Sequence, residues 1–121
     1  KDGYYSGYNQ NGADLRGQTF LRGVQTTDTN GRVTFNTIYP GWYPGRATHI
    51  HFRVYLALDL QATSQLAFPN ATTSAVYSTP LYVGNGQNPT LPTNDGIFSD
   101  GVTYQMCTVT ANAATVGVGE L

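Results

Sequence analysis

Apolar and polar residues alternate in short runs along this chain, with little recurrence at helical spacing. Residues 32–38 set Val33 and Phe35 against Thr34 and Asn36, a period of two that predicts a strand. Residues 19–27 mix β-branched and aromatic side chains and predict its partner, with Asp28-Thr29-Asn30-Gly31 as the tight turn between them. Residues 48–56 predict a second strand. It carries His49, His51 and Arg53 on one face and Ile50, Phe52 and Val54 on the other. A turn or short edge is expected over 57–62, another strand over 64–68 ended by Pro69-Asn70, and a closing strand over 102–110. Between these lie a polar opening loop over 1–18 and a stiff loop over 39–46 holding two prolines and two glycines. Residues 71–82 read as a short helix or irregular, residues 83–101 as loop, and 111–121 as weakly patterned. Short strands separated by turn signals imply an all-β fold, an antiparallel β-sandwich.

Composition narrows the picture. A length of 121 residues suits a single domain, 1–121. Fourteen Gly and six Pro scattered among β-branched and aromatic residues support the all-β reading. Six Lys+Arg against seven Asp+Glu give a net charge of -1, which offers nucleic acid or an anionic membrane no electrostatic footing. No run of about eighteen apolar residues is present to span a membrane as a helix. The single cysteine, Cys107, excludes an internal disulfide, so any disulfide partner lies outside this segment. An uncharged polar surface poor in lysine is common in secreted proteins, and an extracellular location is the expectation. The chain opens at Lys1 on a polar segment with no preceding strand, so residues upstream are expected. Asn70-Ala71-Thr72 is a glycosylation sequon, relevant in a eukaryotic source.

The chemistry centres on the two histidines, His49 and His51. Two apart on a strand, they share a face at a Cα spacing of about 6–7 Å and can converge on one metal ion. A pair of merely exposed or hydrogen-bonded histidines is the alternative, so a metal reading needs further ligands. Carboxylates sit mostly in turns and loops, though Asp2 or Asp14 could serve. Tyrosine is abundant, and Tyr43 lies six residues before His49 in the stiff loop. A phenol ionises near 10 when unperturbed, but a hard, highly charged cation such as ferric iron favours the phenolate. Tyr4, Tyr5, Tyr8 and Tyr39 compete for a second phenolic place.

The stretch from Thr26 to Phe52 resembles the core of the intradiol ring-cleavage dioxygenases, the family of catechol, hydroxyquinol and protocatechuate dioxygenases. The matching motifs are Asp28-Thr29-Asn30-Gly31, Thr37-Ile38-Tyr39-Pro40-Gly41-Trp42-Tyr43-Pro44, and Arg46-Ala47-Thr48-His49-Ile50-His51-Phe52. Gly3-Tyr4-Tyr5-Ser6 and Thr63-Ser64-Gln65-Leu66 extend the likeness more weakly, to about half of the chain. The resemblance implies a β-sandwich with long active-site loops and a non-haem Fe(III) centre. Its ligands would be Tyr5, Tyr43, His49 and His51, with Tyr4 the nearest rival to Tyr5. Tyr43 would be the tyrosine released when substrate chelates. Arg46 would be the active-site arginine, and Gln65 a polar residue near the substrate. The reaction implied is insertion of both atoms of O2 into a catecholic ring, giving a cis,cis-muconate-type diacid. The chain departs from the larger members in its short gap between Tyr43 and His49 and in Gly45 after the Tyr-Pro pair. The likeness is closest to small secreted members from actinomycetes and fungi.

Two other readings compete. Transthyretin-like β-sandwich binding modules share the features around Asp28, Gly31 and Pro40-Gly41, but have no need of His49, His51 and Arg46 together. A zinc or copper hydrolase could use the same histidine pair. Substrate identity and oligomeric state are left open by the sequence, as is a flanking module such as a carbohydrate-binding one.

Overall fold

The computed structural model describes residues 1–112 and 115–118. The chain enters through a small antiparallel ribbon, β1 (Asn9–Gln10) with β2 (Ala13–Asp14). The longest regular unit follows later, a hairpin of β3 (His49–Leu56) and β4 (Asp59–Ala67). Its register sets His49 opposite Ala67, His51 opposite Gln65 and Arg53 opposite Thr63, with an irregularity between Val54 and Tyr55. Because cross-strand pairs share a face, His51 and Gln65 emerge side by side. The turn is only Ala57-Leu58, and β4 resumes at Asp59, earlier than the sequence predicts.

Helix α1 (Asn70–Tyr77) starts directly after Pro69, whose fixed φ suits a helix entry. Three single turns of 3-10 helix follow at Val83–Asn85, Pro92–Asn94 and Gly96–Phe98. The segment behind them adds one parallel bridge to the end of β4, where the Ala67 N–H donates to the Gln105 carbonyl at 2.8 Å and the Cys107 N–H to the Ala67 carbonyl at 2.8 Å. A final antiparallel pair, β5 (Val109–Asn112) and β6 (Thr115–Val118), closes the described chain. Among the described residues the architecture is mainly β, with one α-helix and two-stranded antiparallel sheets. Ala47, Ala67 and Phe98 pack with Val102 into a small core at the His49 end of the hairpin. Cys107 is a buried free thiol, and burial pushes its pKa up to about 11.

Two predicted strands are absent and a third begins late. Residues 19–27 and 32–38 join no ladder, although the turn between them forms as expected, with Asp28 N–H on the Arg32 carbonyl at 2.8 Å and Gly31 N–H on the Asp28 carbonyl at 3.0 Å. Residues 102–110 instead make a turn closed by Gln105 N–H on the Val102 carbonyl at 3.0 Å, and the strand begins only at Val109. Alternation identifies residues able to occupy a pleated half-buried surface, but a strand forms only where a partner supplies hydrogen bonds. Val24, 97% exposed, has no such surface against it among the described residues.

Candidate metal and substrate site

Tyr5, Tyr43 and His49 meet at the buried end of the hairpin. Ring centroids lie 5.1 Å apart for Tyr5 and Tyr43, 6.0 Å for Tyr5 and His49, and 5.8 Å for Tyr43 and His49. Tyr4, the rival to Tyr5, is exposed and outside this cluster. Each ring arrives on a different segment, held by a different device.

Tyr5 comes from the N-terminal segment, which lies directly on the 41–43 loop. Gly3 has a φ of 74°, and a Cβ there would collide with the Trp42 carbonyl. A Cβ on Gly41 would likewise strike the Lys1 carbonyl. Only glycine permits this backbone approach. The Tyr5 hydroxyl donates to the Gly41 carbonyl at 2.8 Å. Gln10 ties the segment from its other side, donating from Nε2 to the Gly3 carbonyl at 2.9 Å and accepting from Tyr5 N–H at 3.3 Å.

Tyr43 sits on the Pro/Gly loop, which α1 and the turn after it clamp. Tyr77 donates its hydroxyl to the Pro40 carbonyl, and Tyr82 to the Tyr39 carbonyl, both at 2.8 Å. Trp42 Nε1–H donates to the Gly86 carbonyl at 3.0 Å, and Asn85 Nδ2 to the Trp42 carbonyl at 3.1 Å. The Tyr39, Tyr77 and Tyr82 rings pack together behind the loop.

His49, only 4% exposed, opens β3. Its Nδ1 lies 2.6 Å from the Ala47 carbonyl. A carbonyl can only accept, so Nδ1 carries the proton and the Nε2 lone pair is free. Burial holds the His49 pKa below the ordinary value, against the Ala47 bond that raises it, and Arg46 lowers it further. His51 is exposed and also lowered, by desolvation first and then by Arg53, Arg22 and Arg46. Both imidazoles are therefore biased toward the neutral form that binds metal. His51 joins no ring contact with the other three residues. It connects through Gln65, whose Nε2 lies 3.4 Å from His51 Nδ1.

Arg46 links the parts. Its Nη1 reaches the Tyr43 hydroxyl at 3.4 Å and its Nη2 donates to Gln65 Oε1. Its Nε contacts Asp95, at 3.1 Å to Oδ1 and 2.9 Å to Oδ2. Asp95 also accepts the Ala47 N–H at 2.6 Å and the Ile97 N–H at 2.8 Å. Burial alone would raise the Asp95 carboxyl, but these backbone N–H groups and Arg46 outweigh it and hold the pKa below the ordinary value. A cavity of about 210 Å3 opens beside His51 and Gln65, walled by Thr63, Ile97, Phe98 and Gln105 among others.

Thus Tyr5, Tyr43, His49, Arg46 and Gln65 come together, with His51 at the edge of the group. The sequence reading missed Asp95. The Asn94-Asp95-Gly96 run signals a turn, and Asp95 does cap the Gly96–Phe98 turn through Ile97 N–H. Nothing local links it to Arg46, 49 residues earlier.

The donor set tests what metal could be held here. Among the described residues no three of His, Cys, Asp and Glu gather as a cluster, so a metal at this place would draw on phenolic oxygens. Two phenols beside two neutral imidazoles match a hard, highly charged cation. Burial, then the nearby Tyr77 and Tyr43, push the Tyr5 phenol well above its ordinary pKa, and Arg46 offsets this only partly. Without such a cation Tyr5 keeps its proton.

The fold is mainly β and gathers these rings at one end of its longest hairpin, and comparison with solved structures shows what it is similar to. The chain is similar to an intradiol ring-cleavage dioxygenase from Tetranychus urticae, with a TM-score of 0.78 and 29% identity over 90% of this chain and 58% of that one. A crystal structure of a dioxygenase is also similar, with a TM-score of 0.67 and 34% identity over 75% of this chain and 45% of that one. The chain thus spans about half the length of these structures. No family model and no curated protein sequence matches it. The resemblance to the intradiol ring-cleavage dioxygenases therefore holds in three dimensions as well as in the motifs.

Proposed function

We propose that this chain is the catalytic portion of a non-haem Fe(III) intradiol dioxygenase. It would cleave a catecholic ring with O2 between the two hydroxyl-bearing carbons, giving a cis,cis-muconate-type diacid. The observation that carries this reading is the convergence of the Tyr5, Tyr43 and His49 rings within 6.0 Å centroid separation, beside Arg46. A transthyretin-like binding module would need no such convergence.

Tyr5, Tyr43, His49 and His51 would hold the iron, which when bound supplies the oxygen chemistry and activates the aromatic ring. The chain's own groups then have distinct tasks. The Tyr43 oxygen, set beside Arg46 Nη1, can accept a proton from a catechol hydroxyl. The Arg46 guanidinium, fixed by Asp95 and Gln65, would stabilise negative charge growing on the ring. Gln65 would face the substrate from the cavity wall. The antiparallel β-sandwich with long site-bearing loops belongs to this proposal. So does an extracellular location.

Iron analysis with a visible spectrum, before and after adding a panel of catechols, tests the reading. A broad visible band that shifts with catechol, followed by ring cleavage, is expected. Tyr43→Phe and His49→Ala should abolish or strongly reduce cleavage. Arg46→Ala should lower turnover about 10²–10³-fold while sparing iron content. Full activity in either ligand variant would refute the ligand assignment, and an iron-free wild-type protein with no visible band would refute the enzyme.

A further inference from the structure

We propose that Asp95 is the positioning residue of this site, its buried carboxylate setting the Arg46 guanidinium and, through the Ala47 peptide, the His49 ring together. What those two groups do rests on the dioxygenase reading, whereas how they are held rests on geometry alone.

The Asp95 side chain is 0% exposed. Its oxygens receive only N–H donors: Arg46 Nε at 2.9 and 3.1 Å, Ala47 N at 2.6 Å and Ile97 N at 2.8 Å. An ionised carboxylate is an acceptor with no donor, so it matches this convergence where an amide would not. Ala47 is pinned on both sides of one residue. Its N–H is held by Asp95, and its carbonyl holds His49 Nδ1 at 2.6 Å. Packed into the core at 1% exposure, it has little room to swing. A displacement of the carboxylate therefore reaches the His49 ring through a single residue.

Arg46 is planar and held at three nitrogens, by Asp95, Gln65 and Tyr43, and only the Asp95 contact joins opposite charges. Such charge-assisted bonds are the stronger kind and fix orientation. Asp95 in turn stands between two 3-10 turns, the second of which drives Phe98 into the core. The carboxylate is thus mounted on a packed support and acts on substrate only through Arg46 and His49.

The test has two arms on the iron-loaded chain. In a double-mutant cycle, Asp95→Asn is expected to lower kcat/KM for catechol about 30-fold with Arg46 in place. It should lower it clearly less once Arg46→Gln is already present, the remainder being the part that reaches His49 through Ala47. Asp95→Glu keeps the charge but moves the carboxylate by one methylene, so it serves if Asp95→Asn does not fold, with the same dependence on Arg46 expected. The second arm needs no turnover. By NMR, the Arg46 Nε–H and the Ala47 amide should be protected from exchange in the wild type and lose protection in the variant, while the β3 amides keep theirs. Equal fold losses in both Arg46 backgrounds, or unchanged protection in the variant, would overturn the proposal. A wild type that cleaves no catechol, with the loss of protection still seen in the variant, would instead refute the dioxygenase reading and leave the positioning role standing.

Discussion

Deleting one oxygen with Tyr77→Phe probes the clamp behind the site. Tyr77 is 1% exposed and its hydroxyl has a single proton, which goes to the Pro40 carbonyl at 2.8 Å. The hydroxyl must then accept from Thr48 Oγ1, also at 2.8 Å. Thr48 Oγ1 is itself a target of Asn88 Nδ2 at 3.2 Å. A chain of donors thus runs from Asn88 through Thr48 and Tyr77 to the loop that carries Tyr43. The ring contacts to Tyr39 and Tyr82 survive the substitution, so no cavity larger than one oxygen opens. Two hydrogen bonds are lost and one half-buried carbonyl is left without its donor. Each bond contributes about 0.5–1.5 kcal/mol net, and the orphaned carbonyl adds its desolvation penalty. Thr48 can rotate toward another acceptor, which recovers part, so about 2 kcal/mol is expected. For a chain of 121 residues this lowers Tm by about 5–10 °C. Urea and thermal unfolding followed by circular dichroism give both numbers. Tyr82→Phe is the comparison, since that partly exposed hydroxyl makes one bond, to the Tyr39 carbonyl, and its loss should cost about 0.5–1 kcal/mol. A Tyr77→Phe loss below about 0.5 kcal/mol, or one no larger than that of Tyr82→Phe, would show that the buried chain of bonds does not hold the loop.

Gly3→Ala should destabilise the N-terminal segment by about 1–2 kcal/mol from backbone strain alone, and its collision with the Trp42 carbonyl should move Tyr5 away from Tyr43. Reduced iron occupancy measured by metal analysis is the expected sign, and undiminished occupancy would separate Tyr5 from the metal. Asp95 has a folded pKa below its unfolded value, so its contribution to stability is complete above about pH 4 and is lost as pH falls through the folded value. Wild-type Tm should therefore fall more steeply than that of Asp95→Asn below about pH 4, and parallel Tm profiles would contradict the assignment. Because burial keeps Tyr5 protonated in the metal-free protein, Fe(III) binding should release a proton that Tyr5→Phe does not release. Equal proton release by the two proteins in weakly buffered solution would remove Tyr5 from the ligand set.

How far the fold could be read in advance depended on whether its cause was local. The Asp28 turn forms as the Asp-Thr-Asn-Gly run implies, because Asp28 Oδ1 takes the Asn30 and Arg32 N–H groups within the same five residues, at 2.8 and 2.9 Å. The His49 strand forms because its alternation meets a matching partner in β4 only a turn away. The stretches at 19–27 and 32–38 have the same local credentials, yet pair with nothing among the described residues. Ala57-Leu58 shows the converse, turning the chain with a φ of 55° at Ala57, a conformation no propensity rule assigns to alanine.

The site divides along the same line. His49, His51, Tyr43 and Arg46 lie within nine residues, so one motif exposes them all at once. Tyr5 was separable from Tyr4 only by motif, and the structure supplies the reason: Gly3 and Gly41 bring two backbones into contact so that the second tyrosine faces the ring cluster. Asp95, Tyr77 and Tyr82 carry no catalytic signature, since their chemistry lies wholly in what they hold. Yet those three fix the Arg46–Ala47 peptide and the 39–43 loop, and a ligand set is only as ordered as its mounting. The groups that would touch iron or substrate are therefore legible as residue types at a spacing. The groups that give them a geometry become legible only when distant segments are seen in contact.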